Sequence, residues 1–346
     1  MKGRTIALDH YEGREAAALL VDGKLEDLLI EADLPRPGSI YRAVADRPVK
    51  GQGGMFMKTP DGSAFLRQVK GLKPGQTLLV QVTGYAEPGK AIPVTQRVLF
   101  KSRYAIVTPD APGINISRRI KDDDARDEIM VVAREALAEA PLPENAGLIL
   151  RSSCADADPE ALLEDVLAMS NLAQHVLSDS GSEPELLVEG DGPHALAWRE
   201  WVEEADLDTE SGCFEHLGIA EMIDDLQSPR VSLGTSGSMV IEPTSALVAI
   251  DINTGNDTSP AAGLKVNMAA LRDLPRQLRL RGLGGQVIVD PAPCPKKDRK
   301  QVEGVLRAAL KRDQTETILA GWTQLGLMEI QRKRDRVPLK LVLKGA

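Results

Sequence analysis

The sequence predicts a multidomain α+β protein, and three observations carry that prediction. Residues 39–100 read as short strands separated by Gly and Pro turns, with no helical period. From Glu210 onward strand-like and helix-like segments alternate, as in an α/β unit. At 346 residues with 42% apolar side chains, the chain is long enough for more than one core.

The elements follow in order. Residues 1–36 give strand, turn and strand: Arg4-Thr-Ile-Ala-Leu, Ala17-Ala-Leu-Leu-Val, an Asp22-Gly23 turn, then Lys24 to Ile30. Pro35-Arg-Pro-Gly38 closes that unit. Five strands follow, Ile40 to Val44, Gly54 to Lys58, Ala64 to Val69, Thr77 to Gly84 and Ala91 to Phe100. Pro60-Asp-Gly62 and Lys73-Pro-Gly75 mark turns between them, and the set predicts a small β-barrel of the OB type over 37–100. Residues 101–182 predict strands at Tyr104–Val107 and Gly147–Arg151, with helices at Asp124–Ala138 and Pro159–Leu177. Ser178–Pro184 reads as a linker, Glu185–Glu189 as a short strand, and Trp198 and Trp201 fall on an amphipathic segment.

Composition narrows the function. The formal net charge is -9, but from Leu264 onward there are 18 Lys/Arg against 8 Asp/Glu, a local +10 that leaves -19 for residues 1–263. Such a basic block suits phosphate oxygens, or a solvated helical coat. Three distant cysteines make neither a disulfide framework nor a CxxC zinc site. The amino terminus lacks the apolar core of a signal peptide, and no apolar run reaches the ~20 residues of a membrane span. The expectation is a cytoplasmic protein without membrane contact. The four histidines are scattered, and no Ser/His/Asp triad, Walker loop or GxGxxG is present.

Two apolar runs end in aspartate, Ser245-Ala-Leu-Val-Ala-Ile-Asp251-Ile-Asn253 and Gly285-Gln-Val-Ile-Val-Asp290. Alternation puts Leu247, Ala249, Asp251 and Asn253 on one face and Val248, Ile250 and Ile252 on the other. The second run does not alternate and reads as a strand buried on both faces. Carboxylates delivered at adjacent strand ends suit a hard cation such as Mg²⁺, although aspartate also ends strands simply as a turn residue. Between the runs, Arg272, Arg276 and Arg279 share a helical face, with Arg281 following. Pro275 predicts that this helix starts or kinks there. Arginine suits phosphate recognition, and equally a solvated amphipathic helix.

These segments resemble the ribonuclease E/G family. The resemblance rests on Gly237-Ser-Met-Val-Ile-Glu-Pro through Asp251-Ile-Asn-Thr254, on Arg276-Gln-Leu-Arg-Leu-Arg-Gly-Leu-Gly-Gly285, on Val-Ile-Val-Asp290, and on Gly326-Leu-Met-Glu-Ile-Gln-Arg-Lys-Arg334. More weakly, Lys24 to Ile30, the small barrel, Ile116-Ser-Arg-Arg-Ile120 and Gly147-Leu-Ile-Leu-Arg151-Ser152 look like the family's opening and 5′-end sensor. The resemblance implies an endoribonuclease that cuts single-stranded A/U-rich RNA with Mg²⁺. It implies catalytic roles for Asp251, Asn253 and Asp290, with Asp251 and Asp290 as metal ligands. A 5′-phosphate sensor would use Arg151, Ser152 and the backbone of Ile106. RNA contacts would come from Phe56, Lys58, Phe65 and Arg67 in the barrel and from Lys296 and Lys297, while Arg276, Arg279 and Arg281 would help hold the catalytic region or RNA. Phe56 and Phe65 suit base stacking or, equally, plugging of the barrel.

The implied domains are a reduced RNase H-like subdomain (1–36 with 183–209), an OB-fold (37–100), a 5′-sensor region (101–182) and a DNase I-like catalytic domain (210–346). Two departures stand out. Asp290 is followed by Pro-Ala-Pro-Cys-Pro where the family usually has Phe-Ile-Asp-Met, and the CPxCxGxG zinc link is absent. The expectation is a monomer or weak dimer without zinc-linked assembly, and a non-catalytic RNA-binding relative is the rival reading.

Overall fold

The computed structural model describes residues 3–343, apart from 50, 52 and 68–70. The chain divides into two compact units, 1–33 with 205–346, and 34–204. The first unit opens with an antiparallel meander, β1 (Arg4–Tyr11), β2 (Arg14–Val21) and β3 (Lys24–Ile30). Asp22 and Gly23 both take positive φ in the turn between β2 and β3, which Gly and Asp tolerate best.

The second unit begins with β4 (Ile40–Val49), β5 (Gly54–Thr59), β6 (Gly62–Leu66), β7 (Thr77–Val82) and β8 (Ile92–Thr95). The order β4-β5-β6-β8-β7 closes through β4–β7 pairing into a five-stranded barrel, consistent with an OB-fold. Its interior holds Tyr41, Ala43, Met55, Met57, Ala64, Leu66, Val80 and Val94. β6 ends at Leu66, so the expected strand end at Val69 lies outside the described residues.

Next come β9 (Phe100–Lys101), β10 (Ala105–Thr108), β11 (Gly113–Ile116), α1 (Asp123–Glu139), β12 (Gly147–Leu150) and α2 (Pro159–Leu177). Sequence dictates both helix starts. Asp122 accepts the Asp124 amide hydrogen, while Asp158 accepts that of Glu160 with Pro159 at the first helical position. These helices cover one face of the sheet β11-β12-β10-β9 with Ile129, Ala133, Val166 and Ala173.

β13 (Glu185–Val188) and α3 (Pro193–Glu200) complete the unit. The stretch 183–209, expected to join residues 1–36, is divided. β13 pairs with β4 of the barrel, and β14 (Asp206–Asp208) pairs in parallel with β1. The barrel keeps β13 because the nearly buried Arg42 donates to Glu183 O at 2.6 Å and pairs with Asp179 and Glu185.

The first unit then continues with α4 (Cys213–His216), α5 (Ile219–Asp225), β15 (Arg230–Ser232), β16 (Ser238–Pro243), β17 (Val248–Asn253), α6 (Ala262–Leu280), β18 (Gly285–Asp290), α7 (Arg299–Arg312), β19 (Thr317–Trp322), β20 (Met328–Arg332) and α8 (Leu339–Leu343). A six-stranded sheet runs β15-β16-β17-β18-β20-β19. On one face α6 and α7 bury Val266, Leu271, Leu274, Leu278, Val302 and Leu306 against Ile250, Ile252, Val287, Val289 and Ile330. Truncating one such leucine to alanine costs about 2–5 kcal/mol. The other face carries Glu242, Asp251, Asn253, Gln286, Asp290, Glu329 and Gln331, all exposed. β18 is therefore buried on one face, and the expectation of two-sided burial fails because Gln286 and Asp290 on its other face are exposed. Among the described residues no helix is long and apolar enough to cross a membrane.

Candidate functional site

β17 and β18 form the parallel pair of the six-stranded sheet, and their register sets Asp251 directly beside Asp290. Adjacent strands lie about 4.8 Å apart. Val248, Ile250 and Ile252 point into the core with Val287 and Val289. Period-2 alternation then sends both aspartates to the open face, at the carboxyl ends of their strands. Asn253 Nδ2 donates to Asp251 Oδ2 at 2.6 Å and fixes that carboxylate.

Three residues that sequence patterns do not single out hold this arrangement. Gly237 (φ +130°) lies so close to β17 that a Cβ there would sit 2.0 Å from Asn253 O. The fully buried Asn267 on α6 donates to Ala292 O at 2.8 Å and accepts from Ala292 N at 2.9 Å. Gly263 allows α6 to touch Pro293 O, where a Cβ would be 2.0 Å away. Together the last two pin the Pro-rich segment just beyond Asp290. Glu329, paired with Ile288, brings a further carboxylate to the same open face. Among the described residues no group of three or more His, Cys, Asp or Glu gathers as a cation site. The donor set is two neighbouring carboxylates open to water, which fits a cation that retains most of its hydration.

Of the two roles expected for the arginines between the two aspartates, their contacts match holding the catalytic region rather than touching RNA. α6 runs unbroken from Ala262 to Leu280 with Pro275 inside it, rather than starting or kinking there. Arg279 is buried and pairs with Glu26 at 2.6 Å, with Asp27 at 3.4 Å and with Asp313. Arg276 donates to Leu25 O at 2.6 Å and pairs with Asp273. Arg281 is buried against Gln277 and Ser228 O, and burial pushes its pKa down to about 10. These three side chains tie α6 to β3 and to the loops around it. Arg279 and Arg281 are buried and Arg276 partly so, and of the groups that meet them Leu25, Glu26, Asp27, Ser228 and Asp313 lie far away in the chain. Lys296 and Lys297 remain exposed just past Asp290.

In the barrel, Met55, Met57, Ala64 and Leu66 fill the interior, so Phe56 and Phe65 face outward. They are cross-strand partners with ring centroids 5.3 Å apart, and Arg47 lies 5.1 Å from the Phe56 centroid. The barrel-plug alternative is thereby removed. Lys58 and Arg67 are exposed, with Lys58 Nζ 3.6 Å from Asp46. Two rings, an arginine and exposed cations on one barrel surface suit base stacking beside a phosphate backbone.

At the carboxyl end of β12, Arg151 Nη1 donates to Ser102 O at 2.6 Å and to Arg199 O at 3.3 Å. Its Nη2 pairs with Glu200 at 2.8 Å. Burial raises the Glu200 carboxyl, and the charges of Arg151 and Arg199 more than offset this and hold it below the usual range. The guanidinium therefore already carries an ionised partner. Ser152 opens a 3-10 turn directly after it. Ile106 has β9 on one side and β12 on the other. Its backbone faces paired strands rather than an open pocket.

The family model described as Ribonuclease E/G family matches residues 100–208 and 195–335. Ribonuclease E of Nostoc sp. (strain PCC 7120 / SAG 25.82 / UTEX 2576) is 26% identical over 382 residues, covering 94% of this chain and 55% of the relative. Ribonuclease E of Escherichia coli (strain K12) is 29% identical, covering 76% of this chain and 28% of the relative. Ribonuclease G of the same organism is 26% identical, covering 94% and 79%. The chain thus spans about half the length of the first of these relatives. The matched segments contain both strands that end in the paired aspartates, and the chain belongs to the ribonuclease E/G family.

Proposed function

We propose that the protein is a Mg²⁺-dependent endoribonuclease that cleaves single-stranded A/U-rich RNA and is stimulated by a 5′-monophosphate. The observation that carries this reading is the register that makes Asp251 and Asp290 neighbours on an open sheet face. The named ribonucleases E and G among its relatives support it. Asp251 and Asp290 would hold the ion, whose bound chemistry is Lewis acidity toward a phosphoryl oxygen and activation of water. Asn253 occupies one oxygen of Asp251 and so orients the other outward. Lys296 and Lys297 draw the RNA backbone toward the aspartates, and Phe56 and Phe65 stack bases on the barrel. Arg151 and Ser152 meet the terminal phosphate in exchange for the Glu200 carboxylate.

The test is cleavage of 5′-phosphorylated and 5′-hydroxyl single-stranded oligonucleotides with and without Mg²⁺. Asp251→Asn abolishes cleavage while RNA binding survives. Unaltered cleavage by that variant removes Asp251 from the mechanism. The Pro-Ala-Pro-Cys-Pro segment after Asp290 and the limited donor set favour one second reading, an RNA-binding protein without catalysis. It predicts salt-dependent RNA binding with no metal-dependent product.

A further inference from the structure

Trp198 near the end of α3 is 60% exposed, although an indole is costly to leave in water. Its ring is held in place. The Arg103 guanidinium lies 3.9 Å from the ring centroid, and Arg103 Nη1 donates to the Trp198 carbonyl. An arginine over one face and water on the rest make a flat, immobile aromatic surface.

The place of this surface identifies its ligand. Ser153 Oγ donates to Arg103 O at 2.5 Å, and Arg151 Nη1 donates to the carbonyl of Arg199, the residue after Trp198. The indole therefore flanks the Arg151–Ser152 turn. β11 ends alongside β12, and beyond Ile116 it leads into exposed Arg118 and Arg119 at the same end of the sheet. The nearby Glu200 carboxylate is ion-paired with both Arg151 and Arg199. Cations around a fixed aromatic face match a nucleotide better than an apolar protein side chain.

We propose that Trp198, backed by Arg103, is the stacking seat for the base of the nucleotide whose phosphate meets Arg151 and Ser152. The ligand is the 5′-phosphorylated end of a single-stranded RNA. This proposal rests on the RNA-processing reading above and adds a base-reading element to it.

Equilibrium binding tests it, measured in EDTA by fluorescence anisotropy. Two 3′-labelled 5′-monophosphorylated RNA dodecamers are compared, one starting with adenosine and one with an abasic ribose. The wild-type protein binds the adenosine-ended RNA about five- to a hundred-fold tighter, the range for one stacked base. Trp198→Ala equalises the two RNAs without weakening the abasic one, and Trp198→Phe restores part of the preference. The proposal is overturned if Trp198→Ala keeps the full preference, or if it weakens both RNAs equally. A wild-type protein that cleaves RNA yet shows no preference for the adenosine end overturns the stacking seat alone. A wild-type protein that binds neither RNA overturns the RNA reading and the seat together.

Discussion

Replacing Arg279 with methionine separates a structural arginine from an RNA-binding one. The side chain is 7% exposed and sits among Glu26, Asp27 and Asp313, whose own side chains are 40%, 2% and 1% exposed. Breaking a buried ion pair from one side costs about 3–5 kcal/mol, because a carboxylate is left desolvated without its partner. Here the orphans retain help. Asp313 keeps Arg332 at 2.5 Å, and Asp27 keeps Arg336 at 2.8 Å. Methionine also fills most of the volume of the arginine stem, so the expected cost falls at the lower end, about 3 kcal/mol. At 1.4 kcal/mol per tenfold change, local opening of α6 rises roughly a hundredfold. Native-state hydrogen exchange of peptides covering 262–280 reads that change directly. RNA affinity of the folded variant stays at the wild-type value. Unchanged protection in α6 together with a loss of RNA affinity would refute the assignment and return Arg279 to the RNA-binding set.

Other outcomes follow from the same geometry. Phe56→Ala and Phe65→Ala each weaken single-stranded RNA binding by about 1–3 kcal/mol in a titration, with an unaltered circular dichroism spectrum, since neither ring is inside the barrel. Gly237→Ala forces a Cβ against Asn253 O and adds strain at φ +130°, so cleavage drops while the Mg²⁺ requirement persists, as a kinetic comparison reads. Burial pushes the Cys154 and Cys213 thiols up to about 12, so at pH 8 an alkylating reagent followed by mass spectrometry marks Cys294 first. Between an unfolded thiol's pKa of about 8.5 and that value, the unfolded chain releases protons the folded chain keeps. Stability is then whole below about pH 8.5 and falls as pH rises, which urea titrations at pH 8 and 10 detect.

Much of the local structure is legible in the sequence because it depends on neighbours a few residues apart. Asp158-Pro159 followed by an acidic first turn marks the start of α2, and the observed helix spans Pro159–Leu177 as expected. Asp22-Gly23 marks the β2–β3 hairpin, and the turns at Pro60–Gly62 and Lys73–Gly75 separate barrel strands. Alternation alone places Asp251 and Asn253 on the face opposite Ile250 and Ile252. The parity of Phe56 and Phe65 is not legible in the same way. Met55 and Met57 are also apolar, so either set satisfies a strand buried on one side, and only closure of the barrel selects the methionines for the interior.

By itself, then, the sequence determined the starts of α1 and α2, several turns, the residues able to share a strand face, and the family to which those motifs point. The tertiary structure decided which of them meet. The parallel register that makes Asp251 a neighbour of Asp290 requires the crossover through α6 between them. Arg279 finds Glu26, some 250 positions earlier, and is buried there, while Arg276 reaches the carbonyl of Leu25 and stays partly exposed. An arginine's spacing on a helix states where it projects, while its burial depends on the charge that chain closure brings to it, and no local pattern contains that partner.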